Sequence, residues 1–242
     1  MVSKNQIKLI TSLHQKKYRK QHQLFIAEGK KVIEELLNAN FELTQLFVKN
    51  DAHFDVHSSK THAISDAELK KISALTTPND CLAVFRIPVA KEIKTSGLIL
   101  ALDSVRDPGN FGTIIRLCDW YGIETLICSN ETVDSFNPKV IQATMGSISR
   151  VNIVYTDLEK FISSTQLPVF GTFMDGENIY KSTLPSEGII VMGNEANGIS
   201  PTIEHLVSKR IAIPRFGTLQ QTESLNVATA TAIILSEFKR NF

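Results

Sequence analysis

Residues 98–116 read LILALDSVRDPGNFGTIIR, and within them continuous apolar spacing gives way to helical spacing. Leu98 to Leu102 are apolar at consecutive positions, so a strand there is buried on both faces, as in the parallel sheets of α/β proteins. Asp103 to Asp107 form a polar loop, Pro108 and Gly109 make a turn, and Asn110 is suited to cap a helix. Phe111, Ile114, Ile115 and Cys118 then recur at i, i+3, i+4 and i+7, the buried stripe of a helix predicted over 110–121. Arg116 falls off that stripe and is left available to a site.

Downstream the same alternation recurs. Apolar runs stand at 98–102, 125–129, 151–155, 168–173, 188–192 and 209–213, with helices predicted at 110–121, 137–145, 156–164, 200–207 and 224–238. This pattern predicts an α/β domain with a mainly parallel sheet and helices on both faces. Upstream, EGKKVIEELLN (28–38) places Val32, Ile33, Leu36 and Leu37 at helical spacing, and TQLFVK (44–49) reads as a strand. Ser65 and Glu68 have the form of a capping box opening a helix over 66–75, and CLAVF (81–85) is a second strand. Residues 87–97, IPVAKEIKTSG, lack apolar periodicity and read as a linker. The expected organisation is therefore a small α/β domain over 1–86, a linker over 87–97 and a larger domain over 98–242.

A chain of 242 residues with 43% hydrophobic content can bury such a core and carry the small domain as well. It has no apolar run of about 18 residues, and its polar, basic N-terminus lacks the apolar core of a signal peptide. These features point to a cytoplasmic protein with no membrane partner. Cys81, Cys118 and Cys128 are scattered in apolar segments and read as buried, reduced thiols. The net charge of +1 conceals a local excess, because residues 1–31 hold eight lysines and arginines against Glu28 alone. Lys16, Lys17, Arg19 and Lys20 surround Tyr18, a composition suited to neutralising phosphates and stacking a base. A solvated helix is the alternative.

Ligands of open α/β sheets lie beyond the carboxyl ends of the strands. Three loops there are distinctive: the one from Asp103 to Asn110, MGNEANGISP (192–201), and IPRFGTLQQTESLN (213–226). Gly193 and Gly198 permit close approach of backbone to ligand, and Glu195 between them has little evident structural purpose. Ser224 could serve as N-cap of the apolar helix behind it or as a site residue. There is no GxGxxG, no Walker A sequence, no GxSxG elbow and no His/Cys spacing for a metal. Asn, Arg, Glu and Ser remain as the chemical set.

Taken together and in order, NFGTIIR (110–116), MGNEANGIS (192–200) and IPRFGTLQQTESLNVATATAI (213–233) resemble the three signature motifs of the SpoU (TrmH-like) family of RNA 2′-O-ribose methyltransferases, in the SPOUT superfamily. FIAEGKKVIEELL (25–37) is similar to the start of that family's substrate-binding domain. The resemblance implies a C-terminal trefoil knot, an exception to the usual unknotted topology, and a homodimer. It implies S-adenosyl-L-methionine held at Thr172, Phe173, Gly193, Ile213 and Leu225. Asn110, Arg116, Glu195, Ser224 and Asn226 become the catalytic set, with no metal. The substrate implied is RNA and not DNA, with ribosomal RNA preferred over transfer RNA. A ribose hydroxyl is almost un-ionised at neutral pH, so the site must polarise or remove its proton. Arg116 is expected to bind phosphate or take part as the base, with Ser224, Asn226 and Asn110 orienting the hydroxyl and Glu195 holding ribose or another side chain. A noncatalytic RNA-binding protein on the same fold is the rival reading. Two features depart from the family: Arg215 stands where methionine is usual, and the stretch from Pro214 to Ser224 is longer.

Overall fold

In a computed structural model, which describes residues 2–49, 54–89, 91–218 and 224–240, the chain divides into two units. One is Met1–Val89 with Asp134–Ser149; the other is Ala90–Val133 with Arg150–Phe242. Residues 219–223 of the lengthened third loop, and His53, lie outside the described residues.

The first unit opens with α1 (Lys4–Ser12) and α2 (Lys16–His22), followed by β1 (Leu24–Glu28), α3 (Lys30–Asn38), β2 (Leu43–Val48), β3 (Thr61–Ala63), α4 (Asp66–Ile72) and β4 (Cys81–Arg86). Its sheet runs β1-β4-β2-β3; β4 is antiparallel to both neighbours, and β3 lies parallel to β2. Ile10, Leu13, Ile26, Phe47, Leu69 and Leu82 meet in one apolar core. The Ser65 capping box forms as its spacing predicts: Glu68 N donates to Ser65 Oγ (3.3 Å) and Ser65 N donates to the Glu68 carboxylate (3.1 Å). Val2 N donates to the same carboxylate at 2.9 Å. The backbone donors of Ser65 and Val2 pull the Glu68 pKa down to about 2.

The second unit contains β5 (Leu98–Leu102), α5 (Pro108–Tyr121) and β6 (Thr125–Ser129). The chain then passes through α6 (Pro138–Thr144), which belongs to the first unit, and returns as β7 (Asn152–Thr156), α7 (Leu158–Ser164), β8 (Val169–Asn178), β9 (Gly188–Met192), α8 (Pro201–Glu204), β10 (Lys209–Ala212) and α9 (Val227–Lys239). The six strands are ordered β10-β8-β9-β5-β6-β7, and every pairing is parallel. β5, β6 and β9 have the bounds of their apolar runs and are buried at every position. Side chains alternate across the sheet. Val169 joins Ile99, Ile189 and Val191 under Ile162 of α7 and Ile203 of α8, while Phe170 meets Phe238 of α9 edge-on, with centroids 5.2 Å apart. Helices thus cover both faces.

Three local expectations are corrected. The N-cap of α5 is Asp107 and not Asn110: Asp107 precedes proline in an extended conformation, Pro108 takes the first helical position, and Asp107 Oδ1 accepts from Asn110 N at 2.7 Å. The N-cap of α9 is Asn226 and not Ser224, with Asn226 Oδ1 accepting from Ala228 N (3.0 Å) and Thr229 N (3.2 Å). Segment 134–149, read as part of the larger domain, is built into the first unit, where Phe136 packs on Phe25 with ring centroids 4.8 Å apart.

Candidate active site

Because all six strands of the second unit are parallel, the loops after β5, β8, β9 and β10 leave the sheet at one edge. Buried Asp103 ties two of them together: its backbone N donates to Met192 O (2.9 Å), and its Oδ2 accepts from Ser200 N (2.7 Å). Asn194 adds a second tie. Its Nδ2 donates to Ser104 O at 2.6 Å, while its Oδ1 accepts from Ala196 N (2.9 Å) and Asn197 N (3.2 Å). Asn194 and Gly198 also exchange backbone hydrogen bonds of 2.8 and 2.9 Å, so the loop closes on itself with Glu195 at its tip. A Cβ on Gly193 would stand 2.2 Å from the carbonyl carbon of Gly198, which is why only glycine fits there.

Glu195 reaches across to the loop after β5. Its carboxylate accepts from Arg106 N (3.3 Å), Asp107 N (3.2 Å) and Asn110 Nδ2 (3.2 Å). Asn110 Oδ1 in turn accepts from Asn226 Nδ2 at 2.8 Å, and Asn226 Oδ1 caps α9. The result is a directed relay from α9 through Asn226 and Asn110 to Glu195. Each amide in it is oriented by the partner of its oxygen, which leaves Asn110 and Asn226 one N–H apiece beyond the relay. Glu195 therefore braces the Asn110 side chain. Three expected residues converge here from loops that lie 85 and 116 positions apart in sequence. Arg116 and Ser224 are exposed, and neither is hydrogen-bonded to the relay among the described residues.

Four of the expected cofactor residues lie on or just after three adjacent strands. Thr172 and Phe173 are on β8, Gly193 follows β9 and Ile213 follows β10; all are half-buried, whereas Leu225 before α9 is exposed. Thr172 Oγ1 donates to Val191 O (3.1 Å), joining β8 to β9. The Arg210 guanidinium lies 3.6 Å from the centre of the Phe173 ring and is ion-paired with Asp175 (2.5 Å) and with Glu204. That pairing holds the Asp175 carboxyl below its usual range. Asp103, Asp107 and Asn194 were not singled out in the sequence, although Asp-Pro before a helix and Asn two residues before a turn are readable signals of such ties.

In the first unit, Lys16, Lys17 and Lys20 are exposed, with Lys17 Nζ 5.7 Å from the centre of the Tyr18 ring. Arg19, expected to contact RNA with them, is only 2% exposed. Its Nε and Nη2 donate to Asp134 Oδ2 (2.8 and 2.6 Å), and its Nη1 donates to Leu13 O (2.8 Å). All three nitrogens of the guanidinium donate internally, which corrects that assignment.

Residues 97–236 match the profile of the SpoU rRNA Methylase family, and residues 4–83 match that of the MRM3-like substrate binding domain. The chain is 29% identical over 241 residues to the 23S rRNA (guanosine(2553)-2′-O)-methyltransferase RlmP of Bacillus subtilis, covering 96% of each. It superimposes on a protein from Porphyromonas gingivalis assigned to the TrmH family of RNA methyltransferases, with a TM-score of 0.89, 38% identity and full coverage of both chains. Against an AdoMet-bound rRNA methyltransferase from Sinorhizobium meliloti the TM-score is 0.88 at 27% identity, covering 100% of this chain and 97% of that one.

Proposed function

The chain belongs to the SpoU rRNA Methylase family, and on that basis we infer that it is an S-adenosylmethionine-dependent RNA 2′-O-ribose methyltransferase whose substrate is ribosomal RNA. The observation that carries the reading is the Asn226–Asn110–Glu195 relay, which gathers all three motifs at the sheet edge beside Gly193. Bound S-adenosylmethionine supplies an electrophilic methyl group on a sulfonium. Thr172, Phe173, Gly193 and Ile213 fit such a group, being half-buried and uncharged, and Arg210 beside them is balanced by Asp175 and Glu204.

The protein's own part is to orient and to compensate charge. The N–H groups of Asn110 and Asn226 beyond the relay donate to the target ribose and hold its 2′-oxygen in line for attack. Glu195 fixes Asn110 so that no reorganisation is needed when charge develops on that oxygen. Arg116 binds the neighbouring phosphate and stabilises charge developing on the 2′-oxygen, whose proton passes to solvent water, because a guanidinium has no acceptor site with which to take it up. Six residues after Asn110 on one helix, Arg116 is about 9 Å further along the axis and about 120° around it. It thus points away from its own relay, which supports a symmetric homodimer in which the partner subunit's Arg116 completes each site. The trefoil knot belongs to the same reading and is supported by family membership. Ribosomal RNA is favoured by end-to-end similarity to an enzyme named for 23S rRNA.

The test is to map ribose methylation across total RNA with and without the gene, alongside calorimetric titration of S-adenosylmethionine. One ribosomal 2′-O-methyl group should disappear with the gene. Loss of a transfer RNA methyl instead would overturn the substrate, and absence of both methyl loss and cofactor binding would overturn the activity.

A further inference from the structure

Two aromatic rings stand in solvent at the edge of the sheet that carries the relay, and the mechanism uses neither. Tyr180 lies in the 3-10 turn (Ile179–Lys181) directly after β8, and Phe216 lies in the loop after β10. Their centroids are 6.3 Å apart with planes inclined at 33°. Phe216 is 82% exposed and Tyr180 36%. The turn beneath Tyr180 is rigidly built: Ile179 is fully buried, Tyr180 N donates to Asn178 Oδ1 (3.0 Å), and Ser182 Oγ donates to Asn178 O (3.0 Å). The same turn packs against α9, the helix that Asn226 caps, so the ring and the relay share one support.

A phenylalanine four-fifths exposed contributes little to folding, since burial stabilises in proportion to apolar area removed from water. A paired, open aromatic surface is what single-stranded nucleic acid uses for stacking, because every base presents a π-face. Lys181, next to Tyr180 and exposed, brings a cation whose charge complements a phosphate backbone and not an apolar protein face. We propose that Tyr180 and Phe216 form a stacking platform for a base of the substrate RNA next to the nucleotide whose ribose is methylated. The proposal rests on the RNA methyltransferase reading and adds a binding subsite to it. Arg215 and Phe216 lie in the loop that departs from the family pattern, so the platform is a local means of choosing the sequence around the target.

The experiment uses the full chain and in-vitro-transcribed 23S ribosomal RNA, comparing wild type with Phe216→Ala, Tyr180→Ala and Phe216→Trp. Loss of one stacking ring should raise KM for RNA about tenfold. The turnover number and the calorimetric affinity for S-adenosylhomocysteine should stay unchanged, and Phe216→Trp should restore KM. An unchanged KM in both alanine variants overturns the platform. So does a fall in S-adenosylhomocysteine affinity, which would assign the rings to the cofactor wall. Dissociation of the oligomer in light scattering would assign them to a second copy of the chain and overturns it too. If wild type methylates no RNA, the activity reading fails by itself; filter retention of the same RNA then tests the platform, and equal retention by wild type and Phe216→Ala refutes it.

Discussion

Replacing Asp134 by alanine should destabilise the first unit far more than a surface substitution, and the structure sets the size of the effect. Arg19 is 2% exposed and Asp134 16%, and Nε and Nη2 of Arg19 converge on one carboxylate oxygen at 2.8 and 2.6 Å. Removing the carboxylate deletes two charge-assisted hydrogen bonds and leaves a buried guanidinium with Leu13 O (2.8 Å) as its one remaining partner among the described residues. Breaking a buried pair from one side costs about 3–5 kcal/mol, equivalent to about two to four orders of magnitude in an opening equilibrium. Arg19→Met, which keeps most of the volume and leaves Asp134 able to recover some solvent, should cost about half as much. Fluorescence of Trp120 is a poor reporter, since that residue belongs to the other unit and is 84% exposed. Hydrogen exchange resolved by peptide is the suitable assay. Amides of β1 and β4 should exchange faster by the stated factor in Asp134→Ala, with those of β5 and β9 unchanged. The reasoning is refuted if protection of β1 is unaltered in both variants while Arg19→Met lowers the salt slope of RNA binding by about one, the signature of a lost phosphate contact.

Asn226→Ala should lower turnover by about two to three orders of magnitude, the usual effect of deleting one oriented donor, and should lower stability by about 1 kcal/mol through loss of the α9 cap; steady-state kinetics and urea unfolding read the two separately. Arg116→Ala should reduce turnover much more than cofactor affinity. Mixed with a Gly193→Val subunit, which is defective at the crowded Gly198 contact, it should regain part of the activity; no regain would exclude sites shared between subunits. Glu68 has a depressed pKa, so its contribution is fully present above about pH 4.5 and is lost as the pH falls through about 2. Helix α1, tied to Glu68 through Val2 N, should therefore loosen over that interval in wild type but show no such step in Glu68→Gln, as followed by NMR. Cys81, Cys118 and Cys128 are buried, and burial raises each thiol pKa, that of Cys81 to about 11, so a thiol reagent should label none of them until denaturant is added.

The strands of the large sheet were legible at β5, β6 and β9, because runs of five residues with apolar centres and no alternating polar face are too short for a helix and fit strands covered on both sides. Capping of α4 was legible for a similar reason, since Ser65 and Glu68 satisfy each other within one helical turn. The motifs likewise mark Asn110, Glu195 and Asn226 without any coordinate. β1 and β3 were not legible: LFIAE runs almost directly into a helix, and Thr61–Ala63 is a three-residue edge strand without an apolar pattern. Beyond such local rules the sequence by itself determined little about partners. Glu195 met Asn110, Arg19 became a buried anchor and not an RNA contact, and residues 134–149 joined the first unit. Each of these depended on a group 85 or more positions away: Asn110 for Glu195, Asp134 for Arg19, and Phe25 for Phe136. A charged or amide side chain looks the same in sequence whether it meets water, a ligand or an opposite charge. Only the packing of parallel strands and the return of the chain into the first unit chose among them, because desolvation makes a buried polar group take whichever partner the fold sets within hydrogen-bonding distance.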